Sequence, residues 1–406
     1  MGFAEAQHYV HLPSREAVVL IEEALRGVAP DEAAVNCQLR IRLGRALFLV
    51  GEMDRAATVN REARSMAERL ADRRALAEIM WNELVSLPPP TAPEFDQRRQ
   101  LIRQYGQLWR AEDDDAGSLV FGCLNSLEIG ELASFEEILR RHEDHTSTIQ
   151  SVNSRWHTLC LKSMQAILHG EYSLAERRAE EAVSSTPDTG SGAVVGIYGM
   201  QMFTIRREQG RLAEVAPLVK RFVKEKSDEA IWKPGLMLIA SDLGFHQQAR
   251  THFEVLAQSS FALPMDAKRA ITLTYLAEVC AALGDSRRAT MLYELLLPYR
   301  DVAILAPPNV LCCGPGAHYL GLLAATMSDW DCAEAHFETS LAMNERLKAW
   351  PRLADTRFEY ARMLLARNRT GDSVLASELH SMAIAAAERM GMGGLLHRKA
   401  RFSTSN

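Results

Sequence analysis

Apolar residues recur along the chain at the three-and-four spacing of an amphipathic helix, and a short phrase interrupts them at near-regular intervals. Leu39, Leu43, Ala46, Leu47 and Val50 place one such apolar stripe on a single helical face. A glycine follows, then one or two polar residues, then a small residue five positions after the glycine. The phrase reads LVGEMDRAA around Gly51, LHGEYSLAE around Gly170 and LGDSRRAT around Gly284. Weaker copies are EQGRLAEVA at Gly210, LGFHQQAR at Gly244, MSDWDCAEA at Ser328 and RTGDSVLAS at Gly371. Five positions on lie Ala56, Ala175, Val215, Ala249, Ala289, Ala333 and Ala376. Twelve positions on, the residue is less strict: Ala63, Ala182, Phe222, Leu256, Leu296, Ser340 and Ala383.

The intervals predict a repeat. From Gly170 to Gly210 is 40 residues, then 34 to Gly244, 40 to Gly284, 44 to Ser328 and 43 to Gly371. Gly130 lies 40 before Gly170, and the 79 residues between Gly51 and Gly130 hold two units. The turn missing from that stretch falls at LVSLPPPTAPEF, where Pro88, Pro89, Pro90 and Pro93 break any helix. About nine helical hairpins of 34 to 44 residues result. Glycine ends the first helix at little conformational cost, and the alanine lets the second helix approach closely. A single hairpin cannot bury its apolar face alone, so neighbours stack. The expected fold class is all-α. Residues 1–396 form one stack with a subdivision near 184–192, and 397–406 form a polar, frayed tail. The segment 298–316, with Pro298, Pro307, Pro308 and Pro315, is the longest expected irregular stretch.

The glycine-plus-alanine phrase resembles the tetratricopeptide repeat (TPR). The runs IRREQGRLAEVAPLV, LYELLLPYRDV and CGPGAHYLGLLAATMSDWDCAEAHFETSLAMNERLKAWPRLADTRFEYARMLLAR resemble the C-terminal repeats of bacterial STAND-type and LuxR-type ATPase regulators and class III adenylate cyclase–ATPase fusions. The resemblance spans roughly residues 20–396. It implies a right-handed α-solenoid serving as the protein-binding or effector-sensing module of a bacterial signalling or transcription regulator. The enzymatic parts of that family do not carry over. No GxxxxGK[ST] phosphate loop occurs, and no Gly-Lys pair occurs at all. The chain stops at Asn406, about where a helix-turn-helix would begin, so no ATPase or DNA-binding function is expected of it. A stand-alone scaffold, or relic of a larger regulator, is the competing expectation.

Charge narrows the partners. A net charge of −6 gives no footprint for direct nucleic-acid binding or an anionic membrane surface. The start MGFAEAQHYVHLPSREAVVL lacks the basic, apolar pattern of a signal peptide, and Ala6 breaks the myristoylation pattern. No stretch of about 18 apolar residues occurs. The seven scattered cysteines, none in a CxxC, fit a reducing cytoplasm. No cofactor and no metal are expected.

Local features are weighed against plain packing. Cys312-Cys313, before Gly-Pro-Gly, suggests a vicinal redox or soft-metal pair, but two small apolar residues packed between repeats is the stronger reading. Arg141-His142-Glu143-Asp144-His145 has metal-ligand spacing, yet a solvated helix end explains it better. His157, His318 and His336 lie on predicted helices without a nucleophile phrase nearby. Glu112–Asp115 reads as a solvated turn, and the six tryptophans as fillers of inter-repeat seams. The functional expectation is therefore distributed. Family-like geometry puts Arg45, His157, Met200, Thr204, Arg207, Glu278 and His318 at exposed positions of a concave groove. Their mixed charge suits a protein or peptide partner, or a small effector. Gly51, Gly170, Gly210, Gly244, Gly284 and Gly371 are the structural turn residues.

Overall fold

The computed structural model describes residues 15–29, 31–50, 52–86, 100, 104, 116–149, 152–186, 192–214, 232–263, 269–306 and 311–403. Those residues are all-helical apart from one short hairpin of strands. The chain divides into two compact units, the first of residues up to 125 with 136–154, the second of 126–135 with everything from 155 on. This division lies upstream of the 184–192 segment.

The first unit contains α1 (Arg15–Gly27), α2 (Ala33–Leu49), α3 (Met53–Leu70) and α4 (Arg73–Ser86). It also holds most of α5 (Ala116–Glu128) and α6 (Leu132–Ile149). Helix α1 buries Ala17, Val18 and Ile21 while its Val19 and Leu20 stay exposed. Its neighbour α2 packs on α3 and on α4. Ala56, Ala63 and Ala67 of α3 are fully covered, so the helices meet at backbone distance along that face.

The second unit runs through α7 (Val152–His169), α8 (Tyr172–Ser184), α9 (Gly192–Glu208), α10 (Trp232–Asp242), α11 (His246–Gln258), α12 (Arg269–Leu283) and α13 (Ser286–Leu296). A 3-10 turn (Leu297–Tyr299) and strands β1 (Ala303–Ala306) and β2 (Leu311–Pro315) follow. Then come α14 (Gly316–Thr326), α15 (Trp330–Arg346), α16 (Trp350–Arg367), α17 (Asp372–Met390) and α18 (Gly393–Ser403). From α10 onward sequential helices pack on one another, and the alternate members α10, α12, α14 and α16 also pack in series.

The turns work as the phrase requires. Gly130, Gly170, Gly210, Gly244 and Gly284 all have φ between 65° and 85°. At Gly170 the glycine N–H donates to the Ile167 carbonyl (3.1 Å) and the Glu171 N–H to the Ala166 carbonyl (2.8 Å). That pair of reversed bonds satisfies carbonyls left over at the helix end. The same pair recurs at Ser328, where a residue with a Cβ takes the left-handed conformation at a cost of roughly 1 kcal/mol. It also closes the connections at Ala71, Ser260, Lys348 and Gly391, which the repeat phrase does not reach. The alanines five positions on from the turns, Ala56, Ala175, Ala249, Ala289, Ala333 and Ala376, are at most 1% exposed. Gly51, Val215 and the prolines at 88–93 lie outside the described residues.

Several expectations change. At the Gly371 turn, Asn368 ends α16 with φ 54°, and Gly371 instead precedes α17 as its N-cap. Asparagine tolerates that conformation through its short polar side chain, so it takes the role assigned to glycine. Within the 298–316 segment the described residues include two strands: β1 and β2 pair antiparallel, Leu305 opposite Cys312 and Ala306 opposite Leu311, with an irregularity between Ala303 and Leu305. Apolar β-formers flank the prolines there, and both strands are largely buried. The tail at 397–406 is helical as far as Ser403 and partly docked, as described below. Trp350 is 39% exposed rather than sealed in a seam, whereas Trp156 is buried.

Candidate functional site: a charged interior in the second unit

The site begins with two close backbone approaches. A Cβ on Gly393 would lie 2.4 Å from the Gln209 carbonyl oxygen, and one on Gly394 2.5 Å from that of Arg207. Only glycine fits at these places, so the start of α18 can rest against the end of α9. That contact sets the last helix beside the charged triplet Arg206-Arg207-Glu208. Arg398, one turn into α18, reaches Asp355 and Glu359 of α16 (3.1 Å to Glu359), with its guanidinium 5.5 Å from the centre of the Phe358 ring. The polar tail is thus held by ion pairs and a cation–π contact.

Charges continue inward from there. Asp355 also faces Arg352 at 3.0 Å, and Arg352 pairs in turn with Glu208 of α9. Arg207 holds Asp242 of α10 at 2.6 Å and pairs with Glu278 of α12. Glu359 accepts from Arg362 at 2.7 Å, and Arg206 pairs with Glu176 of α8. Asp355 and Glu208 are each 8% exposed at the side chain, and Arg352 14%. Burial pushes the Asp355 carboxyl up, but Arg398 and Arg352 outweigh it and hold the acid well below the usual carboxylate range. Burial lowers Arg207, and Asp242 and Glu278 more than reverse that, so its guanidinium stays charged. Burial lowers Arg352 from its ordinary value, with Asp355 opposing.

A cavity of about 500 Å³ opens among these groups. Its walls include Arg207, Glu208, Asp242, Asp355, Arg362 and Arg398, together with His246, His397 and the apolar Leu212, Leu243, Phe358 and Leu395. A second, much smaller cavity of about 40 Å³ shares Arg207 and Glu208 and reaches Thr204, Tyr275, Glu278, Cys313 and Arg352.

The residues expected in an open groove take different places. Arg207, Glu278 and Thr204 come together around the smaller cavity, but Arg207 and Glu278 neutralise one another instead of facing solvent. Thr204 donates to the Met200 carbonyl at 3.1 Å, and Met200 packs half-buried against the core. His318 is buried on α14, and its Nδ1 lies 3.0 Å from the Thr356 hydroxyl, within a cluster completed by Ser340 and Asn344. Burial lowers its pKa, against the pull of Asp355, Glu278 and Glu359. His157 is buried on α7 with its ring 4.8 Å from that of Trp156. Arg45 is half-buried on α2 in the first unit and does not share the cavity.

The other candidates read plainly. Cys312 is buried on β2, where burial pushes its thiol up to about 11. Cys313 is also raised, and its carbonyl accepts from the Tyr319 hydroxyl at 2.8 Å. An activated thiolate needs the opposite direction. In the 141–145 run, His142 is buried while Asp144 faces solvent and pairs with Arg140 at 3.0 Å. His336 lies 2.9 Å from the Tyr293 hydroxyl. Glu112–Asp115 lies outside the described residues.

Sequence reasoning did not find Asp242, Arg352, Asp355, Glu359, Arg362 or Arg398. One signal was available: Asp355, Glu359 and Arg362 recur at helical spacing along α16, on a segment otherwise rich in apolar residues. No family model matches this chain, and no curated protein matches its sequence. Among the described residues no helix is long and apolar enough to cross a membrane.

Proposed function

We propose that the chain is a TPR-like, right-handed solenoid of about nine hairpins. In this reading it serves as the effector-sensing module of a cytoplasmic bacterial regulator, without catalytic activity of its own. The recurring turn, the covered alanine after it and the serial packing of alternate helices support the solenoid. The cavity carries the functional reading: buried, paired charges line a space of small-molecule size. Buried ion pairs rarely repay their desolvation in stability alone, so a recognition role explains their presence there. A small effector fits a cavity of this size better than an extended peptide laid along an open groove.

The direct test is native mass spectrometry of the full chain isolated gently from its own host. A discrete small added mass that is lost on denaturation supports effector sensing. A protein-sized mass supports the partner-binding reading instead, which Leu365, Val374, Leu375 and Met382, exposed on α16 and α17, also favour. The bare chain mass alone favours the scaffold reading.

A further inference from the structure

Three successive turn glycines differ from the later ones in what lies over them. A Cβ on Gly130 would meet the Arg346 guanidinium, one on Gly170 the Met390 sulfur and the Pro351 ring, and one on Gly210 the backbone of Gly393 and Gly394. At Gly244, Gly284 and Gly371 a Cβ would meet nothing within 4 Å. The covering residues come from the end of α15, the start of α16, the end of α17 and the start of α18. The turn edge of the early hairpins therefore lies against the connections of the last ones. Polar contacts follow the same line. Arg346 donates to the Ile129 carbonyl at 3.2 Å, across 217 residues, and Arg352 pairs with Glu208 across 144. At the α18 end, Met392 and Leu395 are buried in the same apolar cluster as Ile205 of α9.

This seam is a layer of contacts added to two sides that already hold together. On the early side, the Ser163 hydroxyl donates to the Ala175 carbonyl at 2.9 Å, the Gln201 amide donates to the Cys160 carbonyl at 3.0 Å, and α8 packs on α9. On the late side, α14 to α18 pack in sequence. Stacked hairpins draw their stability from such neighbours, so a contact between distant hairpins can part while each side stays folded. The larger cavity lies on the seam: Arg207, Glu208 and Leu212 line it from the early side, and Asp355, Leu395 and Arg398 from the late side. A molecule seated there touches both sides only while the seam is shut, so it binds the shut state more tightly. We infer that the seam is a clasp that opens as one piece, and that an occupant of the cavity holds it shut. The clasp stands on the geometry alone, and the role of the occupant rests on the effector-sensing reading.

Hydrogen exchange of the full chain, read by mass spectrometry, tests the clasp. Arg346 is an exposed residue bonded to a turn carbonyl, so Arg346→Gln keeps the fold. In this variant exchange should quicken about tenfold around Ile129 and Gly130, and also at the far end of the seam, around Gly210 and through α18, since one lost charged hydrogen bond accounts for that factor. Helices α12 to α14 should stay as protected as in the parent chain. Gly394→Ala, at the opposite end, should quicken exchange around Ile129 in return. Quickening confined to each substituted contact would mean separate contacts, and quickening across the whole second unit would mean a single core. Either result overturns the clasp, as does no change in either variant. For the occupant, protein isolated from its host with a small added mass still bound is compared with the same protein unfolded, freed of that mass and refolded. Slower exchange of α18 in the loaded form is expected. Equal exchange overturns the role of the occupant and leaves effector sensing in place, whereas absence of any small mass overturns both.

Discussion

The two units solve the same problem of polar groups inside a helical stack in different ways. In the first, the buried polar pair is neutral: Asn82 donates to the Ile41 carbonyl at 2.8 Å and lies 3.4 Å from the Asn60 side-chain oxygen. Its Arg40–Glu62 pair stays near the surface, 30% and 51% exposed. In the second, charges go inward, and Asp355 lies almost wholly covered between Arg352 and Arg398. A neutral amide bridge costs little to desolvate and specifies how helices meet. Buried charges cost far more, and their clustering around one cavity marks where stability gives way to recognition.

The largest effect should separate these two designs directly. Asp355→Ala leaves Arg352 and Arg398 short of a shared partner and should destabilise the second unit by about 3 kcal/mol. Glu62→Ala, breaking an exposed pair in the first unit, should cost less than about 1 kcal/mol. Urea unfolding of both variants measures the difference. Equal costs would mean that the inner network is no more than a surface ion pair placed deeper.

Next in size is the docking of α18. Gly394→Ala drives a methyl group into the Arg207 carbonyl, and overpacking of this kind costs about 2 kcal/mol. Hydrogen exchange of α18 should quicken ahead of the rest of the second unit. Uniform protection across α18 in the variant would show that the helix does not depend on this close approach. In the first unit, Asn82→Ala should cost about 1 kcal/mol, the net worth of one buried hydrogen bond. It should leave any ligand bound by the second unit unaffected. A change in that binding would break the separation drawn between the units.

What the sequence showed and hid follows from the same contrast. Period and turn were legible because glycine at positive φ and alanine at a covered helix contact are local demands, met at Gly170 and Ala175 or Gly284 and Ala289 within a few residues. The connections at Ala71 and Lys348 were not, because they make the same reversed bonds with ordinary residues that carry no mark in composition. The strands at 303–315 hid behind their prolines. The charged interior was hardest of all. Nothing in the sequence marks Arg352, Asp355 and Glu359 as interior, since such residues are seldom buried unless paired. Their partners Glu208 and Arg398 lie far away along the chain, and only tertiary structure brings them together. Arg207 and Glu278 were expected at exposed positions of a groove, and nothing local could tell that each answers the other across 71 residues.

The smallest effect concerns pH. His318 sits among Asp355, Glu278, Glu359 and Arg398, and burial holds its folded pKa below the ordinary histidine value of 6.5. Below that value the unfolded chain takes up the proton more readily than the folded one, so stability is full above pH 6.5 and falls as the solution is acidified toward the folded pKa. Asp355 acts in a separate, lower window. Its depressed folded pKa gives stability that is present above 3.8 and lost as pH falls through the folded value. The loss just below about pH 6.5 should therefore come from His318 together with His336 and His380, which burial also lowers, and the loss below about pH 4 from the Asp355 carboxylate. His318→Gln can still bond the Thr356 hydroxyl but cannot titrate. Thermal unfolding of this variant across the range should show a flatter upper step and an unchanged lower one. An upper step as steep as in the parent chain would mean that another group, and not this buried imidazole, reports acid to the second unit.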